Sequence, residues 1–362
     1  IHSAGMITIP KNYYPNRLKT IQKLLTSQQV DAVLIFNSEK EDPALLPWVL
    51  GNYMFDSTYF LVTKTKQYVF VPQWRLADAY ARFTQTPAEI VGTGEKATMI
   101  PFIKPYLKGI KSIGYAGNAP YKELLLLKGI KLKNIELALR DIYEQKDELE
   151  IKLEAQVENF TRRYMQKFDW KIWVGKTEKE IAKWIEDDMW KRGLPICHLC
   201  ITAGPRTKET SSGFPSDYRL KKDDMICWDF GVGMQTYYSD ITYCYFLGKS
   251  KEKYEKYYLA QKKAVLATAD RIKAGTVSSD ILELLREEYT KAGIGKYFVE
   301  TDLGHGIGTG NHEYPEIGHD KSILRVGTAY TLEPEARLPD GTLIRYEDVF
   351  YIGKDKKSHL LG

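Results

Sequence analysis

Two stretches of this chain repeat each other's landmarks, and that repeat narrows the possible folds more than any other feature. GKTEKEIAKWIEDDMWKRG runs from Gly175 to Gly193, and GTVSSDILELLREEYTKAG runs from Gly275 to Gly293. Gly175 matches Gly275, Ile181 matches Ile281, Ile185 matches Leu285, and Gly193 matches Gly293. Each copy opens on a helix-start signal. Thr177 with Glu180 forms a capping box, and Ser278 or Ser279 supplies the hydroxyl in the second copy. Each closes on a glycine suited to a helix C-terminus. A longer helical pattern precedes each copy and strand-like sequence follows it. The pattern predicts a duplicated α/β half and a domain with pseudo-two-fold symmetry. Sites often form between such halves.

The chain has 362 residues, too many for one ordinary core, so two domains are expected. Residues 6–143 read as a small α/β domain. RLKTIQKLL carries Leu18, Ile21, Leu24 and Leu25 at helical spacing, and the buried strand DAVLIF follows. YFLVTKTKQYVFV reads as a hairpin and KSIGYAG as another strand. From Asp147 the texture changes. Leu149, Leu153, Val157, Phe160, Tyr164 and Phe168 recur every three or four positions, which predicts a long amphipathic helix with a charged outer face. The boundary is placed before it, with the second domain spanning 144–362. Residues 1–5, ahead of Met6, are set apart from the fold as a remnant.

The net charge of +5 is small for this length, and Lys and Arg are scattered among Asp and Glu. No basic stripe points to nucleic acid. No apolar run approaches the roughly 20 residues that cross a bilayer, and no signal peptide is read at the start. Four cysteines do not make a disulfide framework in a chain this long. Cys197 and Cys200 form a C-x-x-C without a second copy, so half a zinc site and a redox pair are weaker readings than reduced cysteine in a cytoplasmic protein. His198, between them, reads as a core or loop histidine.

The chemistry concentrates further on. CWDFGVGMQTYYSDITYCYF reads as a hairpin bearing Asp229 and Asp240 among aromatic and aliphatic neighbours, where a carboxylate is costly to bury. DLGHGIGTGNHEYP contributes His305 in a Gly-rich turn, YTLEPEARLPDG contributes Glu333, and IRYEDVFYIG contributes Glu347. Four carboxylates and one imidazole form a hard, oxygen-rich set that suits two divalent cations sharing carboxylates and a water. Cations would neutralise the like charges and offset their desolvation. Taken singly, an Asp in a hairpin is more often a turn residue, and a His in a glycine loop is more often solvated.

The ordered series D-F-G, S-D-I-T, G-H-G-I-G, L-E-P and R-x-E-D resembles the pita-bread metallopeptidases, which include prolidase, X-Pro aminopeptidase and methionine aminopeptidase, with creatinase as a non-peptidase relative. KDELEIKLEAQ and GKTEKEIAKWIE resemble the prolidase-type members, and the resemblance covers nearly the whole chain. It implies a small creatinase-like N-terminal α/β domain followed by a pita-bread α+β domain. It further implies that Asp229 holds one metal, that Asp240 and Glu347 bridge both, and that His305 and Glu333 complete the second. A metal-bridging water or hydroxide is then the nucleophile and Glu333 its general base. His312, in NHEYP, matches the family histidine that faces the substrate. Arg345 matches the arginine before the last glutamate and orients Glu347 or holds a substrate carboxylate. Manganese, cobalt, zinc or iron all suit such a site. The implied substrate is a peptide or small amide and the implied assembly a homodimer, in the cytoplasm, with neither nucleic acid nor membrane as partner.

The pattern also breaks. Where the family has a P-H pair ahead of the hairpin, this chain has Ser211-Ser212, and its length leaves open which serine stands for the histidine. Thr301 replaces a histidine of prolidase-type members. Arg206 and Lys208 share the altered loop and are candidates for an anionic substrate group. Glu335 is an unusual charge beside the L-E-P motif and either favours a basic substrate or faces solvent. His198 is a candidate substitute for the lost histidine. The leading expectation is a dinuclear peptidase acting at a substrate N-terminus or on Xaa-Pro dipeptides. Creatinase-like cleavage of a non-peptide C–N bond and a non-catalytic binding module are the alternatives.

Overall fold

The computed structural model describes residues 6–37, 44–51, 58–72, 84–93, 99–117 and 119–362. Thr8–Tyr143 form one compact unit, and Glu144–Gly362 belong to another.

In the first unit, helix α1 (Tyr13–Ser27) precedes strand β1 (Ala32–Asn37), which lies inside a six-stranded sheet. The sheet order is β4 (Glu89–Gly92), β3 (Gln67–Val71), β2 (Thr58–Thr63), β1, β5 (Ser112–Gly117), β6 (Lys131–Asn134). The expected hairpin is β2–β3, antiparallel, whereas β5 runs parallel to β1. Strand β1 is buried throughout because both faces are covered. Val33 and Ile35 pack with Leu18, Ile21 and Leu25 of α1. Ala32, Leu34 and Phe36 face a second core with Ile100 and Ile103.

The second unit opens on helix α2 (Glu148–Lys167), where Asp147 and Glu150 make a capping box. Its inner face departs from the hydrophobic stripe expected. Leu153, Val157, Thr161 and Met165 are buried, but so are Glu150, Glu154 and Glu158. Phe160 and Tyr164 are only half-buried, and the helix ends before Phe168. The glutamates turn inward because polar partners wait there. Tyr237 donates to Glu150 Oε1 at 3.1 Å, and the Asp240 amide donates to Glu158 Oε1 at 3.1 Å. Glu154 carries charge toward buried Lys146.

The repeated segments become helix α3 (Glu178–Lys191) and helix α5 (Ile281–Lys291), with helix α4 (Lys249–Arg271) between the halves. The duplication is visible in the backbone. Gly175 N–H donates to Leu220 O and Gly275 N–H to Leu324 O, both at 2.8 Å. Thr177 bridges Arg219 as Val277 bridges Ile323. Gly193 and Gly293 take φ of 70° and 77°, the left-handed geometry that closes each helix. The caps differ. Thr177 and Glu180 make the expected box, but Ser278 caps nothing: a short 3₁₀ turn, Ser278–Asp280, leads into α5 and the Ser278 hydroxyl donates to Glu316 O at 2.7 Å.

Each half then supplies strands. The first gives β7 (Ile196–Ala203), β8 (Met225–Met234) and β10 (Ile241–Phe246) in the order β10-β8-β7, with β9 (Tyr237–Tyr238) paired to β8. The second gives β11 (His305–Gly306), β12 (Glu313–Glu316), β13 (Ala329–Leu332), β16 (Asp348–Ile352) and β17 (Ser358–Leu360) in one sheet. Strands β14 (Glu335–Arg337) and β15 (Leu343–Arg345) pair separately. This is the pita-bread arrangement expected. Among the described residues no helix is long and apolar enough to cross a membrane.

Candidate active site

Strand β8 is buried along its whole length, and its alternation carries Asp229 out of the apolar core toward a pocket of about 500 Å³. Asp240 sits just before β10, where the Asp240 amide is held by Glu158. Glu333 follows β13, and Glu347 lies between β15 and β16. His305 begins β11, its amide bonded to Thr331 Oγ1 at 3.0 Å and its Nδ1 2.9 Å from Gly306 O. Gly304, at φ 143° and against the Thr331 carbonyl, lets the chain pass there without a side chain.

These elements bring all five expected ligands together. His305 Nε2 is 3.3 Å from Glu333 Oε1 and 3.5 Å from Asp240 Oδ2. Donor atoms of His305, Glu333 and Glu347 lie within 4.8 Å of one another, as do those of Asp240, His305 and His312. Thr242 Oγ1 donates to Glu347 Oε2 at 2.6 Å, while Glu347 Oε1 and Asp229 Oδ1 are buried without hydrogen-bond partners. Buried carboxylate oxygens left without hydrogen-bond partners are what a cation would satisfy. Burial, then the charge of Asp240, pushes the Glu347 carboxyl well above its usual range, with Arg345 partly opposing. Burial works to raise Asp240 too, but His198 and then His305 outweigh it and hold that carboxyl well below its usual range. The donor set fits divalent metal ions.

His312 opens into the pocket, its ring 4.1 Å from that of His305 and its Nδ1 3.2 Å from Asn311 Nδ2. Arg345 is buried, packs directly on Glu333 and lies 3.9 Å from Asp229 Oδ2. Its direct contact is with Glu333, and the Glu347 charge also acts on its guanidinium.

The altered loop is resolved in detail. Ser212 lines the pocket, so it occupies the place open to a substrate. Ser211 is buried and donates to Glu335, so the two departures from the family pattern meet each other. Burial raises the Glu335 carboxyl, and the Ser211 bond partly offsets this. Arg206 is not among the residues lining the pocket: it pairs with buried Glu178 and donates to Phe214 O at 3.0 Å. Lys208 is exposed away from the pocket lining, and so is Thr301.

His198 is the residue the sequence misread. It is neither a loop nor a plain core histidine: its Nε2 lies 2.9 Å from Asp229 Oδ1 and 3.1 Å from Asp240 Oδ1. The signal was the strand pairing, which sets His198 opposite Gly231 and Cys200 opposite Asp229. None of the four cysteines forms a disulfide. Also missed were Asn311, whose Nδ2 is 3.4 Å from Asp240 Oδ2, and the buried Lys146–Glu313 pair under the His312 turn. Glu313 also accepts from Gly310 N at 2.8 Å, which fixes that turn.

A buried convergence of four carboxylates with histidines at a pocket wall defines a metal-dependent hydrolase. Residues 153–354 match metallopeptidase family M24, and residues 17–142 match the creatinase/prolidase N-terminal domain. The chain belongs to metallopeptidase family M24 and is a peptidase. An Xaa-Pro dipeptidase of Pyrococcus horikoshii is 31% identical over 356 residues, covering 95% of this chain and 96% of that one. The crystal structure of the prolidase from Pyrococcus horikoshii OT3 superposes with a TM-score of 0.76 at 28% identity, over 96% of this chain and 97% of the other. An X-Pro aminopeptidase from Thermotoga maritima MSB8 shares the fold, with a TM-score of 0.85 at 23% identity over 95% and 97% of the two chains.

Proposed function

We propose that this chain hydrolyses the peptide bond of short Xaa-Pro substrates, with two divalent cations held by Asp229, Asp240, His305, Glu333 and Glu347. The carrying observation is the position of Asp240, whose Oδ1 and Oδ2 are respectively near His198 and His305, one on each half. Cations bound there would lower the pKa of a shared water and polarise the scissile carbonyl. Glu333 would serve as the general base for the attacking water, with Arg345 packed on its carboxylate. His312, beside His305 and open to the pocket, donates toward the oxygen on which charge develops. Arg345 also lines the pocket, within reach of a substrate carboxylate. The pocket of about 500 Å³ suits a short substrate. Manganese, cobalt, zinc and iron are the candidate cations.

The test is an assay of an Xaa-Pro dipeptide and an Xaa-Pro-Xaa tripeptide after separate loading with manganese, cobalt and zinc. Glu333→Gln should lower kcat by about 10²–10⁴-fold. Two bound metals with turnover only of small non-peptide amides would transfer the assignment to creatinase-like chemistry, with Ser212 as the altered specificity position.

A further inference from the structure

We propose that His198 is a metal ligand, giving the Asp229–Asp240 side of the centre an imidazole of its own. The inference rests on the dinuclear reading above. It begins from distances. First-row divalent ions bind imidazole nitrogen and carboxylate oxygen at about 2.0–2.2 Å, so ligands at right angles lie about 3 Å apart. His198 Nε2 stands 2.9 Å from Asp229 Oδ1 and 3.1 Å from Asp240 Oδ1, and donor atoms of the three residues fall within 4.8 Å of one another. Hydrogen bonds have similar lengths, but neither His198 Nε2 nor Asp229 Oδ1 has a hydrogen-bond partner although both atoms are buried. Three donors drawn together without hydrogen-bond alignment share a focus, and a cation supplies one.

The surroundings fix the ring in the required sense. His198 Nδ1 is 3.3 Å from Cys197 Sγ, and that thiol lies 3.4 Å from Asn311 Oδ1. If the thiol donates to Asn311, the sulfur accepts from Nδ1–H and the Nε2 lone pair faces the carboxylates. A metal-bound histidine is commonly held through its other nitrogen in this way. The opposite strand makes room: a Cβ at Gly231 would come within 2.4 Å of His198 Cε1 and 2.5 Å of Cys197 Sγ. One imidazole then stands on each side of the centre, His198 and His305. Added nitrogen moves an oxygen-rich site toward cobalt and zinc and away from manganese.

Proton NMR of the cobalt-loaded protein tests this without a mutation. Two hyperfine-shifted, slowly exchanging imidazole N–H signals are expected, one from His305 Nδ1–H beside Gly306 O and one from His198 Nδ1–H. Nuclear Overhauser contacts to Gly306 and Cys197 assign them. Absence of the signal near Cys197 overturns the proposal. In His198→Gln that signal disappears, one of two cobalt ions binds at least about 10-fold more weakly by calorimetry, and preference for cobalt over manganese falls. Two ions binding the variant with unchanged affinity would reduce His198 to a hydrogen-bonding neighbour and sink the inference alone. A wild-type protein that binds no cobalt would overturn it together with the dinuclear reading.

Discussion

The two halves of the second unit start from the same plan and reach the centre differently. In the first, β8 is one continuous buried strand, and Asp229 projects from within it. In the second, the corresponding path is broken into short strands, β13 to β16, and Glu333 and Glu347 stand in the gaps. Glutamate, one methylene longer, stands in both gaps of the second half, whereas Asp229 lies within β8 and Asp240 in the gap before β10. The halves also divide the chemistry. The second brings His305, His312 and Arg345 to the pocket. The first has Ser212 in the pocket wall, Ser211 buried in the same loop, and His198 beside Asp229.

Breaking the junction should have the largest effect. Asp240 is the carboxylate within reach of a histidine from either half. Asp240→Asn should abolish turnover, with a loss beyond the roughly 10²–10⁴-fold of a missing acid–base group, and should lower the metal content measured by elemental analysis. If the variant keeps both ions and most of its activity, the halves do not share this residue.

This division explains what the sequence could and could not disclose. The duplicated helices were legible because terminal glycines and apolar spacing are local signals, and Gly175, Gly193, Gly275 and Gly293 all take the left-handed conformation; of the two expected caps, only the Thr177 box forms. The five candidate ligands could be picked out because they lie in short ordered motifs. His198 was not, because its role depends on the pairing of β7 with β8, and a register is a relation between distant segments. The inward glutamates of α2 were hidden for the same reason: helical periodicity reports which face is apolar, and cannot show that Tyr237 and the Asp240 amide wait on the other side. Ser211 and Glu335 looked like two separate oddities until the fold joined them.

A second break acts on the half that carries His305 and His312. Lys146 and Glu313 form an ion pair with side-chain exposures of 2% and 0%. Burial disfavours the charged lysine, but Glu313, Glu154 and Glu150 outweigh it and hold the ammonium above its ordinary value. Lys146→Met should strand Glu313 and cost about 3–5 kcal/mol in denaturant unfolding. Because Glu313 also fixes the Gly310 amide beside His312, kcat should fall at temperatures where the variant remains folded. Adding Glu313→Gln should recover part of the stability and little of the activity. Full recovery of both would show that the pair shapes no part of the site.

The smallest effect separates the two helix starts, where the repeat looks most alike in sequence. Thr177 Oγ1 accepts from the Glu180 amide at 3.1 Å, a task an aspartate performs equally well. Ser278 instead donates to the Glu316 carbonyl from a fully buried position, and a carboxylate cannot donate there. Thr177→Asp should therefore change stability by less than about 0.5 kcal/mol. Ser278→Asp should cost about 1–3 kcal/mol, since it buries a charge against an acceptor that has lost its donor. Equal costs would mean that Ser278 is a cap after all. The unequal result would place the divergence of the halves at their first turn, where one hydroxyl holds its own helix and the other ties its helix to β12, the strand that follows His312.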